Sequence, residues 1–282
     1  MKTIIALFFL FSFTLQINAQ DSQIYTESGT SFFLQAGPAD NLYSKITTTD
    51  ATISFFSDAQ SSKTDRSISL GIALELVRGN VGFRLQTNRI RVDETFEMNS
   101  DITDNIFGQF ISKSSTLIRG EQINYEVIPG IHRYFQVNKW LFSGGIEMPF
   151  TVYDIYKFSH NTESEFASSS PGFSFEQNLT DNMTGEIPGG YDIGIGANFG
   201  VQHAFNNTIK IAIQYAPSMR HYKIGGETEF TRETRQIFVE QFENDPPTIT
   251  DSATTTVITN TSTQSKFVEF RQKMNFALIF SF

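Results

Sequence analysis

The chain of 282 residues has no cysteine. Disulfides, thiolate metal sites and cysteine nucleophiles are thereby excluded, and the absence suits an exported protein that does not rely on disulfides. Long apolar runs are also missing. The longest, Ile4 to Leu15, is too short to span a bilayer comfortably as a helix, and no later stretch is long and apolar enough to do so. Basic residues are in the minority, 21 Lys and Arg against 30 Asp and Glu, for a net charge of −9. That balance argues against nucleic acid as a partner. Histidine is rare, with four residues, and hydrophobic residues reach only 39%. What is abundant is phenylalanine: 29 Phe and 9 Tyr in a modestly apolar chain. Aromatic girdles combined with polar loops produce such a composition.

Lys2, the apolar run Ile4 to Leu15 and then Ile17-Asn18-Ala19-Gln20 have the layout of a secretory signal peptide. Cleavage is expected after Ala19, leaving residues 20–282 as one domain. Loss of Lys2 leaves 20 basic against 30 acidic residues, a net −10. No Cys lies near the cut, so no lipoprotein anchor is expected. Without a membrane helix, membrane insertion requires a closed barrel, the other fold that satisfies every backbone group in lipid.

The rest of the chain alternates with period two, the mark of strands with one apolar face. Ile68, Leu70, Ile72, Leu74 and Leu76 share a face over Ser67 to Val77, and Arg78-Gly79-Asn80 marks a tight hairpin. Val81, Phe83 and Leu85 then oppose Arg84, Gln86 and Asn88. Leu117 to Phe135 sets Ile123, Tyr125, Val127 and Ile131 against Asn124, Glu126 and His132, with Pro129 suggesting a bulge. After a turn at Gln136 to Lys139, Trp140, Phe142, Ile146, Met148, Phe150 and Val152 oppose Ser143, Gly145, Glu147 and Thr151. A third pair runs from Gly190 to Ala204 and from Thr208 to Tyr222, joined through Phe205-Asn206-Asn207. In the last strand Val268, Phe270, Met274, Phe276, Leu278, Phe280 and Phe282 oppose Phe267, Glu269, Arg271, Lys273, Asn275, Ala277 and Ser281, with Ile279 the apolar exception. Polar stretches near Glu97–Thr116, Ser159–Pro188 and Gly225–Gln264 are expected to be long loops.

These are seven strands, and a barrel with both termini on one side needs an even number. Thr30–Gly37 is the favoured eighth, with Ile46–Phe56 above the membrane or in the first loop; ten strands is the alternative. The expected fold is all-β: a closed antiparallel up-and-down transmembrane β-barrel of eight strands. Its turns are short on the periplasmic side and its loops long outside the cell. A soluble sandwich would bury the same apolar faces against a second sheet. Strands of about 12 to 17 residues exceed the usual 5 to 6 and favour the barrel.

Signal peptide, alternating strands, tight turns opposite long loops and the closing NFALIFSF together resemble the small outer-membrane β-barrel families abundant in Bacteroidota, including the PorT-like group. The resemblance spans nearly the whole mature chain, through architecture more than motif. It implies the cell outer membrane as location, with lipids and the barrel-assembly machinery as partners. It also implies a C-terminal assembly signal at Phe276, Leu278, Phe280 and Phe282. No peptidoglycan-binding domain of the OmpA type follows the last strand, so cell-wall tethering is not expected. Asp251-Ser252-Ala253 resembles the short O-glycosylation site of some of these bacteria, a three-residue match that chance also produces.

Within such a barrel the inward positions collect Glu75, Arg84, Glu126, Glu147, Asp192, Lys210, Glu269, Arg271 and Lys273. An eight-stranded barrel is just wide enough for its side chains to fill, so these charges are expected to pair and plug the lumen. A narrow solute path and a general acid–base pair are the alternatives. His132 is expected in the lumen, His160 in a loop, and His203 and His221 near strand ends. None has a Ser or carboxylate at a spacing that forces catalysis, so no catalytic, metal or cofactor site is expected. The acidic stretches Asp93–Asp104 and Glu227–Asp251 are expected to be solvated loop surface. Trp140, Tyr134, Tyr153, Tyr156 and Tyr222 are expected in the interfacial girdles. The expected role is structural or surface-interacting and not enzymatic. The alternatives are loop-mediated ligand binding, a secretion-system component or a small pore.

Overall fold

A computed structural model describes residues 23–24, 28–38, 60–104, 109–243, 245–261 and 265–282. The expected signal peptide and the segment Ile46–Phe56 lie outside the described residues. In chain order the strands are β1 (Gln23–Ile24), β2 (Gly29–Pro38), β3 (Gln60–Asp65), β4 (Ile68–Arg78), β5 (Val81–Asp104), β6 (Gln109–Val137), β7 (Trp140–Glu147) and β8 (Phe150–Tyr153). They continue with β9 (Tyr156–Ser170), β10 (Phe173–Ile187), β11 (Gly190–Ala204), β12 (Ile209–Ile224), β13 (Glu227–Phe242), β14 (Thr248–Thr261) and β15 (Ser265–Ser281). No helix occurs among the described residues.

Eight strands form an antiparallel ring in the order β2, β4, β5, β6, β7–β8, β11, β12, β15, and β15 pairs back to β2 through Phe276↔Ala36 to Ser281↔Ser31. The first ring strand is the favoured Thr30–Gly37 segment. β7 and β8 are one ring strand interrupted at Pro149, which has no N–H to give. The register is the same on both sides of that gap, and Met148 N donates to Pro129 O across it at 2.9 Å. The bulge expected at Pro129 is absent, because β5 and β6 pair without a slip from Val81↔Arg133 to Asp104↔Phe110. Pro129 is tolerated without distortion.

The parity of the register closes around the ring, so one face of every strand points in and the other out. The distribution is the inverse of a soluble core. The outward residues Leu34, Leu70, Ile72, Leu74, Phe83, Ile131, Ile146, Ile195, Ile213, Phe270 and Phe276 are exposed, Ile72 by 50%. The inward residues include Gln35, Glu75, Arg84, Gln86, Asn88, Glu126, Asn198 and Gln214, all buried. Ile279, the apolar exception on the last strand, packs inside with Phe33, Ala73, Ala212 and Ala277. At one end the chain turns tightly; Gly79, with φ +66°, fills a position that favours glycine.

Among the described residues, the three stretches expected to be long loops are mostly strand. β5 and β6 run on past the ring, and β9–β10 and β13–β14 are hairpins built from the polar stretches. Together with β3 they make a seven-stranded open wing, in the order β3-β5-β6-β9-β10-β13-β14. Threonine, serine and aromatic residues suit a strand as well as a loop, and polarity on both faces hid the period. The ring gives way to the wing at a line of corners. One extra residue near Asp154–Ile155 shifts the β6 register from Asn124↔Tyr153 to Glu121↔Lys157. Pro188-Gly189 and Gly225-Gly226 turn the other two strands, with Gly225 at φ +88° and its N donating to Gly189 O at 3.1 Å.

The wing is a single layer. On the face continuous with the ring interior, Phe110, Phe166, Phe175 and Phe238 form a cross-strand ladder with ring centroids 4.6 to 5.3 Å apart. Such contacts stabilise a sheet that has no second layer. The other face carries Glu163, Glu165, Glu176, Glu229 and Glu233, with Ile249 and Val257 also exposed on it.

Candidate functional site

The ring interior holds the expected charged residues, in two groups separated by amides. Toward the tight turns, Glu75 meets Arg84 at 3.3 Å and accepts a hydrogen bond from the Tyr134 hydroxyl, which in turn accepts one from Arg84. The Arg84 guanidinium also lies 4.3 Å over the Phe33 ring. His132 bridges onward, its Nε2 3.2 Å from Glu147, whose carboxylate accepts a bond from Asn198 at 2.9 Å. Gln35–Gln214 and Gln86–Asn88 bonds fill the middle.

Nearer the wing, Glu126 is the hub. It meets Arg220 Nη2 and Lys273 Nζ, each at 2.6 Å, and accepts a bond from Asn88. Arg220 Nη1 reaches Asp192 at 3.2 Å and Thr151 Oγ1 at 2.9 Å. Tyr153 donates to Asp192 and accepts from Arg271 at 3.3 Å. Above this group Tyr153, Tyr156, Tyr222 and Ile224 pack together and roof the ring, with Tyr222 stacked on Phe267 at 4.8 Å.

Of the nine expected residues, Glu75, Arg84, Glu126, Glu147, Asp192, Arg271 and Lys273 thus join one or the other group. Lys210 is buried opposite Ile279, and Glu269 lies half-buried opposite Arg220 in the register. Arg220 was not among the nine, although alternation placed it on the same face as Lys210 and Gln214. Tyr134, Tyr153, Tyr156 and Tyr222 are buried inside and do not form girdles. Tyr134 shares its parity with His132 and Glu126, and Tyr222 shares its parity with Arg220. That signal was available, but the preference of tyrosine for interfaces masked it. Trp140 does point outward at the tight-turn end, against His203 at 4.6 Å.

The cavities beside Glu126, Arg220 and Lys273 measure about 90 and 10 Å³. They hold a few waters at most. His132 has the carboxylate neighbour that acid–base chemistry needs, but its side chain is fully buried. The second histidine with polar neighbours, His160, lies on β9 and not in a loop. It shares a 2.9 Å bond with Thr162, while the nearby Asp181 is held by Arg232 through a fork of 2.9 and 2.7 Å. Among the described residues no group of three His, Asp or Glu could hold a metal.

The wing has its own pH dependence. The hydrogen bond from Arg232 holds the Asp181 carboxyl below its usual range, and burial pushes the His160 imidazole below its usual value. Both shifts make the folded wing reluctant to take up protons. Stability is present above the unfolded values, about 6.5 for His and 3.9 for Asp, and falls as pH drops through the lower folded ones. Hydrogen exchange is expected to show the β10–β13 amides losing protection on acidification, first below about pH 6.5, while ring amides keep theirs. Unchanged wing protection down to about pH 4 would contradict this assignment. No protein-family model and no curated protein matches the chain.

Proposed function

We propose that this chain is an outer-membrane β-barrel with a sealed lumen, serving a structural or surface-interacting role through its wing. The observation that carries this reading is the inverted ring: large apolar residues outside, paired charges and amides inside. In water such a belt would expose far more contiguous apolar surface than soluble proteins tolerate. In a bilayer it is the expected lipid face, and the closed pairing leaves no strand edge in the hydrocarbon. The tight turns lie on the periplasmic side and the wing stands outside the cell. The N-terminal segment directs export. Phe276, Leu278, Phe280 and Phe282 present the outward face that the assembly machinery reads.

No catalytic or cofactor role is proposed; His132, 3.2 Å from Glu147 and 3.5 Å from Glu75, is buried inside the ring. The wing supplies the surface for an extracellular partner, with an aromatic ladder on one face and carboxylates on the other. Planar-bilayer recording tests the sealed lumen. Protein that migrates as a folded, heat-modifiable species is expected to give a flat current trace. Resolved conductance steps would overturn the plug and favour the pore.

A further inference from the structure

The outward face of β5 breaks the pattern of the ring. After Val81, Phe83 and Leu85 it carries Thr87, Arg89 and Arg91, while its neighbours stay apolar at the same level. Leu70 and Ile68 of β4 lie opposite the two arginines on one side, and Tyr125 and Ile123 of β6 on the other. Arg66 sits one step further out, its N bonded to Asp93 O at 2.9 Å, and Arg119 lies opposite Thr95. All four arginines are exposed. Asp93, 3.4 Å from Arg91, Glu97 and Glu121 are carboxylates on the same face. Among the described residues no carboxylate pairs with Arg66, Arg89 or Arg119.

The height of the cluster is informative. A tilted strand climbs roughly 2.6 Å per residue, so Arg89 and Arg91 stand roughly 21 and 26 Å above Val81. That is the outer margin of an apolar band roughly 25 Å tall. Arg89 also borders the apolar outer belt of the ring, whose members next to it are Leu70 and Ile72 of β4 and, one strand on, Leu34 of β2. Guanidinium groups flanked by apolar side chains at headgroup level favour an anion, and their fork geometry suits phosphate. The apolar belt beneath accepts a hydrocarbon chain.

We propose that this cluster and the apolar belt beside it bind a phosphorylated, acylated lipid of the outer leaflet, with its phosphate between Arg89 and Arg91 and a chain along Leu34, Leu70 and Ile72. The site rests on the membrane reading above, and the experiment separates the two. Full-length protein in neutral detergent is titrated with dihexanoyl phosphatidic acid, dihexanoyl phosphatidylcholine and inorganic phosphate. Saturable binding of phosphatidic acid is expected, at least about tenfold tighter than either of the others. The R89Q/R91Q variant is expected to lose about tenfold, whereas K223Q, a rim cation away from the cluster, is expected to bind as wild type does. Equal binding by R89Q/R91Q overturns the site. Inorganic phosphate binding as tightly as the lipid overturns the role of the apolar belt. Wild-type protein that floats with phosphatidylcholine vesicles yet binds no phosphatidic acid overturns the site alone. Protein that does not float overturns the membrane reading itself.

Discussion

Arg220→Ala is expected to lower the unfolding free energy by about 3–5 kcal/mol, the range for removing one partner of a buried ion pair. Arg220 touches two carboxylates, Glu126 at 2.6 Å and Asp192 at 3.2 Å, whose side chains are 1% and 0% exposed. Its loss leaves Glu126 with Lys273 and Asn88, but leaves Asp192 with the Tyr153 hydroxyl as its remaining partner among these contacts. Lysine at the same position restores the charge without the fork that reaches both carboxylates and Thr151, so Arg220→Lys is expected to recover only part of the loss. Urea unfolding in vesicles, read from the fluorescence of Trp140, the one tryptophan of the chain, measures both variants. A loss below about 1 kcal/mol for Arg220→Ala would mean that water solvates the two carboxylates, as in a hydrated pore.

Period-two alternation placed seven of the eight ring strands, and the nine charged positions followed from the same parity. The need for an even strand number called for an eighth, for which Thr30–Gly37 was favoured over Ile46–Phe56, and Thr30–Gly37 is the first ring strand. Alternation could not show which charges meet, since Arg220 joins Glu126 and Asp192 from different strands. The tyrosines were misplaced where a residue-type preference was set above parity. The wing was invisible for a different reason. Its strands are polar on one face and mixed on the other, so Ser159–Pro188 and Gly225–Gln264 lack the contrast that marks a half-buried strand. The Phe166, Phe175 and Phe238 spacing was the available signal. It only acquires meaning once the three hairpins are known to be neighbours.

The second large effect concerns what surrounds the ring. Ile213 is outward, 51% exposed, and flanked in the register by Val201 and Phe276. Ile249 on the wing strand β14 is outward too, 66% exposed. In water both isoleucines would accept arginine with a change of about 0.5 kcal/mol or less. In a bilayer they differ, because a lipid-facing arginine near the midplane costs about 2–4 kcal/mol, and one in solvent costs nothing comparable. The decisive measurement is the unfolding free energy of Ile213→Arg and Ile249→Arg in phosphatidylcholine vesicles. A loss of about 2–4 kcal/mol at Ile213 with none at Ile249 is predicted if acyl chains solvate the outer face of the ring. Equal, negligible losses at the two positions would mean that water surrounds both, and would contradict the membrane account.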